Sequence, residues 1–423
     1  MLLMEVINLE KCRENYKKKN CKAIASVIAN NPLKKLQVNR DICQQYEHYY
    51  NIKTTPHPKV TNQKSSGRCW LFAGLNVIRR EMIEHYNIED FEFSQSYLFF
   101  WDKLERLNYG MEKIIETKDE ELHSREVMHL LQDPTCDGGQ WDMFCNLIRK
   151  YGLIPKTAYR ESYHSSNSKE LNSVLNRKFR EYALKLRKKP TSKQDCLNEI
   201  YHILCHFLGE PPTEFTWRHD SKCIKVTPLN FYKTHVKFNV DDFVCIVNDP
   251  RNDFNKTYTV KYLGNVIDGK KVKYLNLEID ELRKLTLKSL EGDQTVWFGC
   301  DVMQCFDREE CAMDMDLVNH TDLLGIKYSM DKKQRLEYGE SMMTHAMVFT
   351  GARVEKDVTH WQVENSWGDA GPAKGFYNMS HQWFKEYVYE VVVPKELLSD
   401  DQRKCLDKKP KVLDPWDPMG ALA

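Results

Sequence analysis

Apolar residues recur at three- and four-residue steps along several stretches of the chain. Leu71, Leu75, Ile78 and Met82 form one such stripe just after Gly67, and predict a helix that begins near Cys69. Ser94 reads as an N-cap in Phe93-Ser94-Gln95-Ser96. Leu98, Trp101, Leu104 and Leu107 then give Tyr97 to Leu107 an apolar face. A further helix is expected over Trp141–Lys150. Leu171, Val174, Leu175, Phe179, Tyr182 and Leu186 make one long stripe, and Leu197, Ile200, Leu204 and Leu208 another. The segment Lys188-Lys189-Pro190-Thr191-Ser192 breaks between them. Alternation then replaces the helical period: Thr257–Leu263 and Lys271–Leu277 read as strands about the Asp268-Gly269 turn. Ile279–Leu290 returns to helix, and Thr295–Val302 reads as a buried strand. Met343–Phe349 runs into the charged turn Glu355-Lys356-Asp357, and His360–Gly368 returns as the second arm of a hairpin. Near the start, Ile24, Val27 and Ile28 suggest a short helix ended by Asn30-Asn31-Pro32. Thr54-Thr55-Pro56-His57-Pro58 is extended, because a residue before proline is kept out of the α region. This first segment is expected to pack over the body as an arm.

Length and composition narrow the picture. A chain of 423 residues, 41% hydrophobic, has enough apolar surface for one core with insertions, or for two to three lobes. Lys+Arg 62 against Asp+Glu 61 leaves no global field for nucleic acid or anionic lipid. Basic runs such as Lys185-Leu186-Arg187-Lys188-Lys189 read as a solvated helix face. No apolar run approaches the roughly 18 residues that a membrane helix needs. Met1-Leu2-Leu3-Met4-Glu5 is acidic early and lacks a signal-peptide core. A cytosolic, reducing location is therefore expected, with the 14 cysteines mostly free thiols. No Cys-x-x-Cys occurs, and neither His202-x-x-Cys205 nor Cys300-x4-Cys305-x5-Cys311 has zinc spacing, so no metal or cofactor is expected.

The candidate chemistry starts at Cys69. A thiol at a helix N-terminus is drawn toward thiolate by the backbone N–H groups and the helix dipole, and a thiolate is the nucleophile acyl transfer needs. Gln63, six residues upstream, has a side-chain N–H that could point at a developing oxyanion. The downstream hairpin supplies partners. His345 and Asn365 have their midpoint at 355, inside the charged turn, which places them nearly opposite each other. One imidazole nitrogen could then take the Cys69 proton while the Asn365 amide holds the other, with Trp367 covering that bond from water. The paired glycines of Cys136-Asp137-Gly138-Gly139-Gln140-Trp141-Asp142 allow another backbone to approach closely, as a substrate strand would.

Gln63 and Gly67-Arg68-Cys69-Trp70 resemble the papain-like cysteine proteases, whose signature is C-G-[SA]-C-[WY]. Ser66 replaces the first cysteine of that signature, and Arg68 replaces the small residue. Cys69 and His345 are 345 − 69 = 276 residues apart, against about 130–150 in papain and cathepsins. The excess matches residues 160–290, read as an insertion. That spacing, Asn62-Gln63-Lys64, Asp137-Gly138-Gly139-Gln140-Trp141-Asp142 and the ending Trp416-Asp417-Pro418-Met419-Gly420-Ala421-Leu422-Ala423 resemble the bleomycin hydrolase family from about residue 55 to the end. The resemblance implies an α+β fold: a papain-like core, helical lobe plus β-barrel-like lobe, with a helical and hook-like insertion and a C-terminal tail in the cleft. It divides the chain into an arm (1–57), a helical lobe with the nucleophile (58–159), the insertion (160–290), a β lobe (291–397) and the tail (398–423). It implies an aminopeptidase acting on free N-termini and on the carboxamide of bleomycin, assembled as a homohexamer. Carried over, Cys69, His345 and Asn365 are catalytic and Gln63 stabilises the oxyanion. Gly138, Gly139, Trp367 and Ala423 contact substrate. A same-fold endopeptidase and a nucleic-acid-binding barrel remain alternatives. Pro410, Pro415 and Pro418 make the tail an extended arm, with Trp416 and Met419 as apolar anchors.

Overall fold

The computed structural model describes residues 7–18, 22–220 and 222–422. Its centre is the helix Cys69–Tyr86, whose residues are buried almost without a break to Ile83. Most of its buried side chains are apolar, and the polar ones are paired: Arg79 meets Glu364 at 2.7 Å and Asn76 meets Thr61 at 3.0 Å. It crosses the helix Trp141–Tyr151 closely, since a Cβ at Gly74 would lie 2.7 Å from the Phe144 ring. The helix Gln95–Glu116 starts at the expected cap, where Ser94 Oγ accepts from Tyr97 N–H, and runs nine residues past the predicted end. The two long stripes form the helices Lys169–Lys188 and Lys193–Leu208, with a 3₁₀ turn at Pro190–Ser192 between them. Leu171, Leu175, Phe179, Tyr182 and Leu186 are buried as expected; Val174, on the edge of the stripe, is exposed.

Opposite the helices lies a sheet of twelve strands among the described residues. Its centre runs Phe243–Val247, Val388–Pro394, Val296–Cys300, His345–Val354, Val358–Glu364 and Phe376–Ser380, all antiparallel neighbours. Successive residues point to opposite faces, and both faces are covered. Trp297, Ala346 and Val348 join the helical core, while Phe298, Met347 and Phe349 join a second core with Trp361, Trp383 and Val391.

Two expectations need correction. Lys256–Val260 and Tyr274–Asn276 do pair as a hairpin, but with Phe243–Val247 they continue the main sheet beyond Val388–Pro394. The second half of 160–290 is thus built into the β layer; among the described residues the ribbon Phe215–His219 with Lys222–Val226 alone forms a separate sheet. Among the described residues, the N-terminal arm packs over the body in its second half, where Ile52–Lys53 pairs with His345–Val354 and Tyr50 is buried. The helices Leu9–Lys18 and Lys22–Asn30 bury none of their residues.

Candidate active site

Cys69 opens its helix at the junction of the two layers, 2% exposed. The sequence folds this way because Trp70 locks the helix start on both sides. Trp70 Nε1 donates to Asp137 O at 2.6 Å, and Trp70 O accepts from Trp297 Nε1, on the sheet, at 3.3 Å. The ring also explains Gly139, where a Cβ would come within 2.6 Å of it. At Gly139 the close approach that the glycine pair allows is therefore made by Trp70. Gly138 offers its carbonyl to Arg106 Nη2 at 2.7 Å. Asp137 holds the turn before the helix: its Oδ2 accepts from Gly67 N–H at 3.0 Å. Burial works against the Asp137 charge, but the Lys103 ammonium at 2.6 Å and the donors Ser168 and Asn172 hold the carboxyl well below its ordinary range.

His345 begins the strand His345–Val354 and is buried. Its Nε2–H donates to Asn365 Oδ1 at 2.9 Å. Asn365 Oδ1 accepts also from Ser366 N–H at 2.7 Å, so the amide oxygen faces the ring. That arrangement selects the tautomer with the proton on Nε2 and leaves Nδ1 as a bare acceptor. The Trp367 ring centroid lies 4.9 Å from that of the imidazole. The hairpin register differs from the one predicted. Paired residues sum to 712 or 713, as in Val348↔Glu364 and Ala352↔Trp361, with irregularities at Phe349/Gly351 and Arg353/Val354. Extending the ladder puts position 367 opposite His345, which is why Trp367 covers the ring and Asn365 reaches it diagonally.

The helix start does not leave the Cys69 thiol more acidic. Burial pushes it up to about 12, although N–H groups of Ala346, Trp70 and Cys69 act the other way. Burial likewise lowers His345 to about 4, against the Asn365 bond, which favours the charged ring. Burial thus disfavours the charged form of each group taken alone.

Gln63 is 6% exposed, and its amide is fixed at both ends. Oε1 accepts from Ser366 Oγ at 2.6 Å, and Nε2 donates to Ser66 O at 2.7 Å. Among the described residues the second Nε2–H has no partner. Ser366 did not emerge from sequence reasoning; its only signal was its place between Asn365 and Trp367.

The tail runs back over this region. Lys411–Leu413 adds a parallel strand to Lys256–Val260, and Pro418–Gly420 makes a 3₁₀ turn where a straight arm was expected. Trp416 stacks on the Arg125 guanidinium at 3.7 Å, Asp417 pairs with Arg251 at 2.8 Å, and Met419 is buried. Met419 O accepts from Tyr274 Oη at 3.2 Å, and Ala421 O from Gln140 Nε2 at 2.7 Å. The tail thus arrives beside the glycine pair. Ala423 lies outside the described residues.

A nucleophile helix laid against a strand that presents an imidazole is the layout of the papain class of cysteine peptidases. The chain belongs to the Peptidase C1-like family, which matches residues 4–420. It is 45% identical to bleomycin hydrolase of Rattus norvegicus over 391 residues, 86% of each chain. It is 44% identical to aminopeptidase C of Lactococcus lactis subsp. lactis over 390 residues, 88% of this chain and 89% of that one. The crystal structure of PepW from Lactobacillus rhamnosis superposes with a TM-score of 0.95 over 99% of both chains, at 40% identity. The protein is a papain-like cysteine aminopeptidase with a mixed α+β fold.

Proposed function

We propose that Cys69, His345, Asn365 and Gln63 carry amide hydrolysis through a thioester. The observation that carries this reading is the Nε2–H···Oδ1 bond, which leaves Nδ1 free to serve as the base. In the first step the Cys69 proton passes to Nδ1, and sulfur bonds to the substrate carbonyl carbon. The free Nε2–H of Gln63 stabilises the oxygen that becomes negative. The C–N bond then breaks as the imidazolium gives its proton to the leaving amine. Water, deprotonated at the same nitrogen, cleaves the thioester and restores the thiol.

The substrates we assign are peptides with a free N-terminus and bleomycin-type carboxamides, in the cytosol, with a homohexamer as the working assembly. The tail supports the exopeptidase over the endopeptidase form. It is held at Arg125, Arg251, Tyr274 and Gln140, and Gln140 adjoins Gly139, which packs on Trp70, the neighbour of Cys69. The test uses fluorogenic aminoacyl amides with free and blocked amines, with and without a thiol alkylator. Hydrolysis of only the free-amine series, abolished by alkylation and by Cys69→Ala, is the expected result. Normal turnover in Cys69→Ala overturns the reading.

A further inference from the structure

Ser66 and Arg68 are the two positions where the nucleophile motif departs from the papain signature. In the fold they touch each other. Arg68 Nε–H donates to Ser66 Oγ at 2.8 Å, and Ser66 Oγ–H donates to Gln63 O at 2.7 Å. Gln63 Nε2 returns a bond to Ser66 O at 2.7 Å. Gln63 and Ser66 therefore clasp each other in both directions, and Arg68 fixes the clasp from outside.

Arg68 itself is immobilised. It is 0% exposed, with its guanidinium 5.1 Å from the Phe72 ring centroid and 5.3 Å from that of Phe99. Its far edge meets Glu161: Nη1 donates to Oε1 at 3.1 Å, and Nη2 lies 2.9 Å from Oε2. A buried guanidinium requires such a countercharge. Glu161 is held in turn by Ser165 Oγ–H at 2.5 Å. Burial opposes its charge, yet Arg68 and Ser165 keep the carboxyl below its usual range, so it is anionic at neutral pH.

We propose that Ser66, Arg68 and Glu161 are positioning residues that aim the Gln63 amide at the reacting carbonyl. They act on the reaction only through Gln63, so the inference rests on the oxyanion role given to that residue above. An oxyanion donor must hold its direction before charge develops, since a donor that rotates loses the benefit of preorganisation. A two-atom clasp backed by a buried ion pair supplies that rigidity where the papain signature has a cysteine and a small residue.

Ser66→Ala and Glu161→Gln are to be measured alone and combined with Gln63→Ala, using a free-amine aminoacyl amide as substrate. Each is expected to lower kcat about tenfold, as small misplacements at reacting centres do. KM and the rate of Cys69 alkylation by iodoacetamide should not change, because alkylation needs the thiol and no oxyanion donor. In the Gln63→Ala background the same substitutions should have no further effect. An equal loss in both backgrounds, a parallel loss of alkylation, or an unchanged kcat overturns the relay. A merely structural tie would lower the melting temperature and leave the cycle additive. If Gln63→Ala itself leaves kcat intact, the oxyanion assignment falls, and the relay with it.

Discussion

At Cys69 and His345 each charge alone is disfavoured by burial, and only the thiolate–imidazolium pair lets each offset the cost of the other. This gives the pH behaviour a sign. Under the proposed mechanism, His345 can no longer act as base once Nδ1 takes a proton from solvent, at about pH 4. Alkylation of Cys69 by iodoacetamide should therefore fall as pH drops through that value. Asn365→Ala removes the bond that favours the charged ring, and should move the fall to lower pH; a shift upward contradicts the assignment. His345→Ala should nearly abolish turnover, Asn365→Ala should be milder, and Gln63→Ala should lower kcat by about 10²–10³. Glu390 offers a separate test. It is fully buried, and burial, with Asp142 nearby, pushes it up to about 8 from 4.5, against a bond to Cys245 that acts the other way. Its contribution to stability is complete below about 4.5 and drains as pH rises through about 8, because the unfolded chain ionises first. Glu390→Gln should flatten the decline of melting temperature between those values. Gln63 and Cys69 were candidates from their local motif, and His345 and Asn365 from the hairpin expected to bring them opposite each other. Ser366 and Glu161 were not, since their bonds to Gln63 and Arg68 span 303 and 93 residues.

Among the elements, those with a clean period were readable and those that depend on a distant neighbour were not. Helix Cys69–Tyr86 and strand Val296–Cys300 follow from their own apolar pattern. The hairpin register does not. The strand His345–Val354 pairs with Val296–Cys300 only as far as Phe349, then with Ile52–Lys53, and the ladder slips at that changeover. Gly351, whose added Cβ would lie 2.7 Å from Ile52 O, marks the spot, but nothing near it in sequence names its partner. The tail was legible as an arm with anchors; its 3₁₀ turn was not, because three prolines argued for extension. Deleting Gly420–Ala423 tests what the tail does. The shortened enzyme should keep its alkylation rate, lose its preference for free amines and act on N-blocked peptides. Retention of the preference assigns the selectivity to another group in the cleft.

The whole molecule leaves apolar surface at its N-terminal end. Leu9, Tyr16 and Val27 are exposed on helices none of whose residues is fully buried. A second copy is the cover we expect for them, within a closed assembly. Light scattering at micromolar concentration should give six times the 50.0 kDa chain mass, and a monomer would reject the hexamer. The separation of thiol and imidazole on two layers has a consequence in time. Cys69 leaves the ribosome 276 residues ahead of His345. At about 5–20 residues per second, that gap lasts on the order of tens of seconds. Under the proposed mechanism, the nascent chain carries throughout that interval a nucleophile whose base has not yet been made.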